Sequence, residues 1–146
     1  MSSHSLEEVF KRIEDWEGRL EDSYFMLKEF IDSGRSKQTI LVLKRQQEKI
    51  LLTLEHIPQD GYRKMESIKH LPGENLVPDY EITASTCPRE VFEKFLVCEE
   101  NLEEYYQYLR NLFAATKLKE LFDTLIQFKT IQIKEIKNYM DSYALV

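Results

Sequence analysis

The positions of the prolines constrain the fold of this chain more than any other feature. All four prolines lie between residues 58 and 88, and the stretches on either side contain none. Because proline lacks a backbone N–H and its ring clashes with the preceding helical turn, only the proline-free stretches can hold long helices. We therefore predict two helical hairpins, over residues 5–57 and 87–146, joined by a connection over residues 58–86.

Local capping signals divide each hairpin into two helices. Ser5 and Glu8 have the spacing of a capping box at the start of the first helix, and Ser33-Gly34 suits the end of that helix. The starts of the other three helices are marked by candidate caps, which are Ser36, Cys87 followed by Pro88, and Thr116. These signals predict four helices of roughly 20 to 27 residues.

One face of each predicted helix is almost entirely apolar or tyrosine. Steps of alternately four and three residues follow a single helix face. The four stripes traced in this way are Ile13, Glu17, Leu20, Tyr24, Leu27 and Ile31; Ile40, Leu43, Gln47, Ile50, Leu54 and Ile57; Phe95, Glu99, Leu102, Tyr106, Leu109 and Phe113; and Phe122, Leu125, Lys129, Gln132, Ile136 and Tyr139. We predict that these stripes form the core, with polar exceptions at Glu17, Gln47, Glu99, Lys129 and Gln132.

The first half of the chain matches the second half at an offset of 82 residues. This offset carries Glu17 onto Glu99 and Tyr24 onto Tyr106, and it holds through both helices of each hairpin without a gap. We interpret the match as a duplicated helical hairpin. The predicted fold class is therefore all-α, with two related hairpins forming a four-helix bundle as a single domain over residues 1–146.

The connection over residues 58–86 is long enough to cross the bundle from end to end. It has 29 residues, whereas roughly 10 extended residues span a helix about 31 Å long. Within it, Tyr62, Met65, Ile68 and Leu71 recur at helical spacing. We therefore predict a long crossover with a short helix between Tyr62 and Leu71.

Charge and composition exclude several functions. The chain carries 20 Lys and Arg against 26 Asp and Glu, a formal net charge of −6. Nucleic acids and anionic membranes attract clustered basic residues, so we predict neither as a partner. No apolar run approaches the roughly 20 residues of a membrane span, and we expect a cytoplasmic protein. Cys87 and Cys98 are too few for a disulfide scaffold and are predicted to be reduced.

Two segments resemble the ferritin-like superfamily, and its rubrerythrin branch in particular. They are Glu17-x-x-Leu20-x-x-Ser23-Tyr24 and Glu99-x-x-Leu102-x-x-Tyr105-Tyr106, which are similar to the first and third helices of that family. The resemblance implies a four-helix bundle with one long crossover. It also implies a site for two iron or manganese ions, held by one Glu on each of two helices and a Glu-x-x-His on each of the other two. Active members use that site for oxidase or peroxidase chemistry.

This chain departs from the family at both Glu-x-x-His positions. Gln47-x-x-Ile50 and Lys129-x-x-Gln132 stand in their place, and no Glu-x-x-His occurs anywhere in the sequence. Isoleucine cannot ligate, an ammonium has no free lone pair, and glutamine is a weak donor compared with a carboxylate. We therefore predict no bound metal and no other cofactor. The predicted remnant is a vestigial di-metal site in the core, formed by Glu17, Gln47, Ile50, Glu99, Lys129 and Gln132.

Three interpretations of this polar remnant are open at the level of the sequence. In the first, the Lys129 ammonium occupies the volume that a metal would fill and forms a structural ion cluster with Glu17 and Glu99. In the second, a small polar cavity binds a different cation or ligand. In the third, the register differs and these residues reach solvent.

The functional alternatives follow from the same residues. The first is a noncatalytic ferritin-like protein that serves as a structural or binding module, for example as a homodimer. The second is a di-iron or di-manganese carboxylate oxidoreductase or peroxidase in oxidative-stress defence, with an unorthodox site that uses Glu17, Glu99, Gln47 and Gln132. The third is an unrelated helical interaction domain whose likeness to the family is architectural only.

Overall fold

The computed structural model describes residues 4–30, 34–57, 66–68 and 87–144, and four long helices account for most of them. In chain order these are α1 (Leu6–Phe30), α2 (Gly34–Glu55), α3 (Pro88–Leu112) and α4 (Leu118–Ala144). They contain 25, 22, 25 and 27 residues, as the capping signals predict.

The four helices pack against one another as a bundle. Helix α2 contacts both α1 and α4, and α4 also contacts α3. The fourth side of the bundle is closed by aromatic side chains of α1 and α3, because the Tyr24 and Phe95 rings lie 4.9 Å apart and Trp16 meets Tyr105 edge to face at 6.3 Å. This arrangement places α2 and α3 at opposite corners of the bundle.

Contacts between α1 and α3 show that these two helices run antiparallel. Tyr24, late in α1, is hydrogen-bonded to Glu99 in the middle of α3. Glu17, earlier in α1, is hydrogen-bonded to Tyr106, which comes later in α3. Helices α2 and α4 are also antiparallel. Ser36 at the start of α2 contacts Tyr139, whereas Gln47, later in α2, contacts Gln132, which comes earlier in α4.

Helices α1 and α4 run in the same direction. Phe10 stacks against Phe122 with ring centroids 6.1 Å apart, and seven residues further along each helix Glu17 meets Lys129. Two contacts with the same sequence offset require parallel helices. Consequently α1 is antiparallel to α2 and α3 and parallel to α4.

The predicted core stripes are confirmed at every described position. Among these stripe residues the largest exposed fraction is 9%, at Ile57, and most have none. Ile31 lies outside the residues whose side chains are described. The polar stripe residues are as fully buried as their apolar neighbours, so the interpretation in which they reach solvent is wrong.

The predicted caps of α1, α3 and α4 are confirmed. The Glu8 backbone N–H donates to Ser5 Oγ at 3.2 Å, and the Leu118 N–H donates to Thr116 Oγ1 at 3.2 Å. Pro88 occupies the first turn of α3 after Cys87, although the Cys87 side chain makes no capping hydrogen bond.

The predicted turn between α1 and α2 is wrong in its details. Gly34 begins α2 instead of ending α1, and Ser36 lies inside the first turn of α2. The Ser36 hydroxyl donates to the Tyr139 hydroxyl at 2.8 Å in the core. Tertiary contact with α4 therefore outweighs the capping preference of this serine.

Two short strands accompany the four helices of this all-α bundle. Strand β1 (His4–Ser5) pairs antiparallel with strand β2 (Glu66–Ile68), and Ile68 is fully buried. A short helix over residues 62–71 is thus wrong at 66–68, because these residues extend to pair with the start of the chain. The rest of the predicted crossover lies outside the described residues.

Replacing Ser5 with alanine is expected to lower the free energy of unfolding by about 1 kcal/mol, because the Glu8 N–H loses its acceptor. Ser23→Ala is the matched control in the same helix. The Ser23 hydroxyl only bonds back to the Arg19 carbonyl, a contact that adds little stability. Urea unfolding of both variants tests the prediction, which fails if the two variants lose the same stability.

Within the described ranges, no helix combines the length and the apolar character that crossing a membrane requires. Cys87 and Cys98 are both free; Cys87 is exposed and Cys98 is buried.

Candidate functional site

The polar stripe residues of all four helices meet at one level of the core. Glu17 comes from α1, Gln47 from α2, Glu99 from α3, and Lys129 and Gln132 from α4. Each is fully buried and in contact with at least one other member of the group. We call these five residues the core polar cluster. Ile50 is buried one turn beyond Gln47 and contributes only apolar surface.

Lys129 lies between the two carboxylates of the cluster. Its Nζ is 2.5 Å from Glu17 Oε1 and 3.1 Å from Glu99 Oε2, and it also donates to Glu99 Oε1 at 3.4 Å. All three side chains are inaccessible to solvent. The ammonium is therefore the local counter-ion for both carboxylates, as the interpretation of a structural ion cluster requires.

Glu17 accepts hydrogen bonds from three helices. Gln47 Nε2 donates to both the Glu17 main-chain oxygen, at 2.7 Å, and Oε1, at 2.9 Å. The Tyr106 hydroxyl donates to Oε2 at 2.5 Å. Together with Lys129, these donors satisfy both carboxylate oxygens, which is what allows a charged group to be buried.

The two glutamines extend the cluster across the bundle. Gln132 Nε2 donates to Gln47 Oε1 at 2.9 Å and to the Leu43 carbonyl at 3.1 Å. Gln47 in turn donates a hydrogen bond from its own amide group to Glu17. The glutamines thus act as neutral hydrogen-bond bridges between α4, α2 and α1.

Tyr24 and Tyr106, which are predicted only as core packing residues, also have a polar role in the structure. The Tyr24 hydroxyl donates to Glu99 Oε1 at 2.9 Å, and the Tyr106 hydroxyl donates to Glu17 Oε2. Each tyrosine therefore donates a hydrogen bond to the glutamate of the other hairpin. The shared seven-residue spacing from glutamate to tyrosine was the sequence signal for this role.

Two oxygen atoms in the cluster have no hydrogen-bond donor among the described residues. They are Glu99 Oε2, which has only the ion contact with Lys129, and Gln132 Oε1. With two carboxylates and one ammonium, the fully ionised cluster carries a net charge of −1. A buried excess of negative charge favours protonation of one carboxylate.

The pKa of Glu99 is raised in this environment. Burial raises the pKa of Glu99 from 4.5 to about 6; the Glu17 charge contributes to the rise and the Lys129 ammonium opposes it. Burial lowers the pKa of Lys129, but the Glu17 and Glu99 charges outweigh burial and raise it above 10.5. Burial and the adjacent glutamates raise the pKa values of Tyr24 and Tyr106 well above 10.

Replacing Glu99 with glutamine is expected to remove a pH dependence of stability. The pKa of Glu99 in the folded protein, about 6, exceeds its ordinary value of 4.5. The protonated form therefore stabilises the fold below pH 4.5, and this contribution is lost as the pH rises through about 6. The difference corresponds to about 2 kcal/mol, so Glu99→Gln should gain that much relative to the unmodified protein between pH 4.5 and 7.

Urea unfolding at several pH values measures this gain. Glu104→Gln, which removes an exposed carboxylate from the same helix, is the control for the change in net charge. A stability difference between Glu99→Gln and the unmodified protein that does not change with pH would contradict the prediction.

The donor set of the cluster does not fit a pair of metal ions. Only Glu17 and Glu99 are carboxylates, and Lys129 brings a positive charge into contact with both. No group of three or more His, Cys, Asp and Glu suited to a metal ion occurs in the part of the chain that the structure describes. A cation placed at the Glu17 and Glu99 oxygens would meet the ammonium directly, with strong repulsion in the dry core.

Other chemically interesting side chains do not form a site with the cluster. Burial raises the pKa of Cys98 to about 12, which keeps it a thiol and a poor nucleophile. Tyr105 and Tyr108 stack on each other with centroids 6.0 Å apart, consistent with packing.

Comparisons of the chain with protein-family models, with curated proteins and with solved structures found no match. The ferritin-like resemblance therefore rests on the quoted residues and stays a prediction.

Proposed function

We propose that this chain is a ferritin-like, rubrerythrin-related bundle that has lost most of its di-metal ligands and acts without catalysis as a structural or binding module. In this proposal Lys129 has replaced the metal ions as the positive charge of the core. The charge balance predicts neither nucleic acid nor a membrane as its partner, and we expect the module to be cytoplasmic.

The helix directions support the ferritin-like part of the proposal. Since α1 is antiparallel to both α2 and α3, the end of α2 and the start of α3 lie at opposite ends of the bundle. A chain with these directions needs a connection that crosses the whole bundle. The 29 residues from 58 to 86 suffice for that crossover, which is the connectivity of the family.

The paired contacts of tyrosine and glutamate support a duplicated hairpin. An offset of 82 residues converts the pair of Glu17 and Tyr106 into Glu99 and Tyr24, with the roles of the hairpins exchanged. An approximate two-fold axis between the hairpins produces such an exchange. Two independent hairpins would have no reason to share it.

The position of Lys129 carries the proposal. Its ammonium contacts both surviving glutamates at 2.5 and 3.1 Å in a core without solvent access. Removing a metal from a cluster of carboxylates leaves like charges that must be neutralised, and a lysine on the same helix face does so. The cluster then contributes to the specificity of folding instead of to redox chemistry.

Metal analysis of the purified protein tests the proposal directly. Protein purified from cells supplemented with iron and manganese is expected to contain well under one equivalent of iron, manganese or zinc, because Ile50 and Lys129 replace ligands. The matched control is the double variant Glu17→Gln with Glu99→Gln, which should show the same background. Stoichiometric metal that this double variant loses would overturn the proposal and favour the unorthodox di-metal oxidoreductase.

A further inference from the structure

Helix α2 is basic in a chain that is acidic as a whole. Residues 37–49 contain four basic side chains, Lys37, Lys44, Arg45 and Lys49, and one acidic side chain, Glu48. The chain has a net charge of −6. Helix α2 therefore carries a local excess of positive charge.

The exposed face of α2 also presents apolar side chains. Leu41, Arg45, Glu48 and Leu52 follow one another at steps of four, three and four residues, and all are exposed. Leu41 has 41% of its surface exposed and Leu52 has 55%. Lys49 is exposed beside Glu48. We call the surface formed by Leu41, Arg45, Glu48, Lys49 and Leu52 the basic face; its two basic side chains outnumber its single glutamate.

The exposed face of α3 has the opposite character. Residues 95–109 contain neither lysine nor arginine, and three of their four glutamates, Glu100, Glu103 and Glu104, reach the surface, whereas Glu99 is buried in the core. Glu93, Val97, Glu100 and Glu104 repeat the same four, three and four spacing in the exposed positions of α3, and Val97 has 58% of its surface exposed. We call this stripe the acidic face. Two of its glutamates have basic neighbours in the same chain: Arg89 lies 3.3 Å from Glu93 and Lys137 lies 3.9 Å from Glu100. Both are exposed ion pairs of little energy.

The two faces point away from each other, because α2 and α3 occupy opposite corners of the bundle. A molecule that uses its basic face for one neighbour therefore still presents its acidic face to another. Two copies related by a closed two-fold axis would bury the same patch on both molecules. Faces on opposite sides cannot both be buried within one such pair.

We propose that the basic face of one copy docks on the acidic face of a second copy, in a head-to-tail association of this chain with itself. This inference rests on the proposed function, in which the chain is a binding module, and it names the partner. The opposite charges of the two faces attract the copies as they approach each other. The exposed leucine and valine side chains then lose contact with water when the faces meet. Because the contact is heterologous, it extends to further copies instead of stopping at a dimer.

Sedimentation velocity of the full chain over a range of concentrations tests the association. At about 25 mM NaCl we expect the weight-average mass to exceed the 17.5 kDa of one chain and to keep rising with concentration. At about 500 mM NaCl we expect the mass of a single chain, because salt screens exposed charges.

Charge reversal locates the contact. Arg45→Glu with Lys49→Glu, and separately Glu100→Lys with Glu104→Lys, should each weaken self-association by about tenfold or more. A mixture of the two variants should associate again, since each supplies one intact face. The control Glu14→Lys with Asp15→Lys makes a comparable change of charge on exposed positions of α1 and should leave association unchanged.

Each other result overturns the inference. A single chain at every concentration in low salt excludes the association, and a mass that stops at two copies excludes the head-to-tail geometry. Association that survives both reversals places the contact elsewhere. None of these results bears on metal content, so the proposed function and this inference can fail separately.

Discussion

Replacing Lys129 with methionine is expected to lower the free energy of unfolding by about 3 to 5 kcal/mol at pH 7. Methionine keeps much of the side-chain volume but leaves Glu17 and Glu99 without their counter-ion in a core that excludes solvent. An unpaired buried charge costs more than the pair contributed. Urea unfolding of the variant and the unmodified protein measures the loss.

The loss of stability in Lys129→Met should shrink at acid pH, because protonation of the carboxylates removes the unpaired charges. The triple variant that also carries Glu17→Gln and Glu99→Gln should be closer to the unmodified protein than Lys129→Met is. Lys134→Met, at an exposed position of the same helix, is the control and should change stability by about 0.5 kcal/mol or less. If Lys129→Met is neutral at pH 7, the core polar cluster is not held by this lysine and the proposed replacement of metal by lysine fails.

The second large effect is expected when the ligand set of the ferritin-like family is introduced into this core. A variant with Gln47→Glu, Ile50→His, Lys129→Glu and Gln132→His would carry two single glutamates and two Glu-x-x-His motifs. If the helices pack as those of the family do, these six side chains converge and about two equivalents of manganese or zinc should bind. Metal analysis after dialysis measures the stoichiometry.

Two further measurements make this test specific. Because a ligand that binds only the folded state stabilises it, the melting temperature of the restored variant should rise when manganese is added. The matched control keeps Lys129 and makes only the other three changes, so that the ammonium still repels a metal ion. Equal metal content in both variants, or none in the restored variant, would reject the ferritin-like geometry.

Secondary structure and the burial pattern of this chain could be predicted from short-range signals. The ends of helices depend on residues about three or four positions apart, such as Ser5 and Glu8, and the buried face follows from helical periodicity. The meeting of Glu17, Glu99 and Lys129 at one level of the core was expected only from the ferritin-like resemblance, because periodicity assigns a residue to a helix face but does not pair it with a residue of another helix. Every described stripe residue is buried.

Errors arose where a local preference competed with a distant partner. Ser36 has the residue type of a helix cap, yet it bonds with Tyr139, which lies 103 residues away. Ile68 fits a helical spacing, but residues 66–68 pair with His4 and Ser5 instead. No pattern within a few residues contains these partners, so no capping or periodicity argument could have found them.

The sequence therefore determined that the chain forms four helices and which residues of each helix are buried, polar ones included. These features depend on interactions within single helical turns. Tertiary structure decided which polar groups pair. The contacts of Tyr24 with Glu99 and of Lys129 with Glu17 join residues 75 and 112 positions apart. It also decided the surroundings of each carboxylate: burial raises the pKa of Glu99, which has an oxygen without a hydrogen-bond donor, whereas Glu17 accepts hydrogen bonds from α2, α3 and α4. Burial and hydrogen bonding depend on the three-dimensional surroundings of a group, and two glutamates in equivalent sequence positions can therefore have different hydrogen-bond partners.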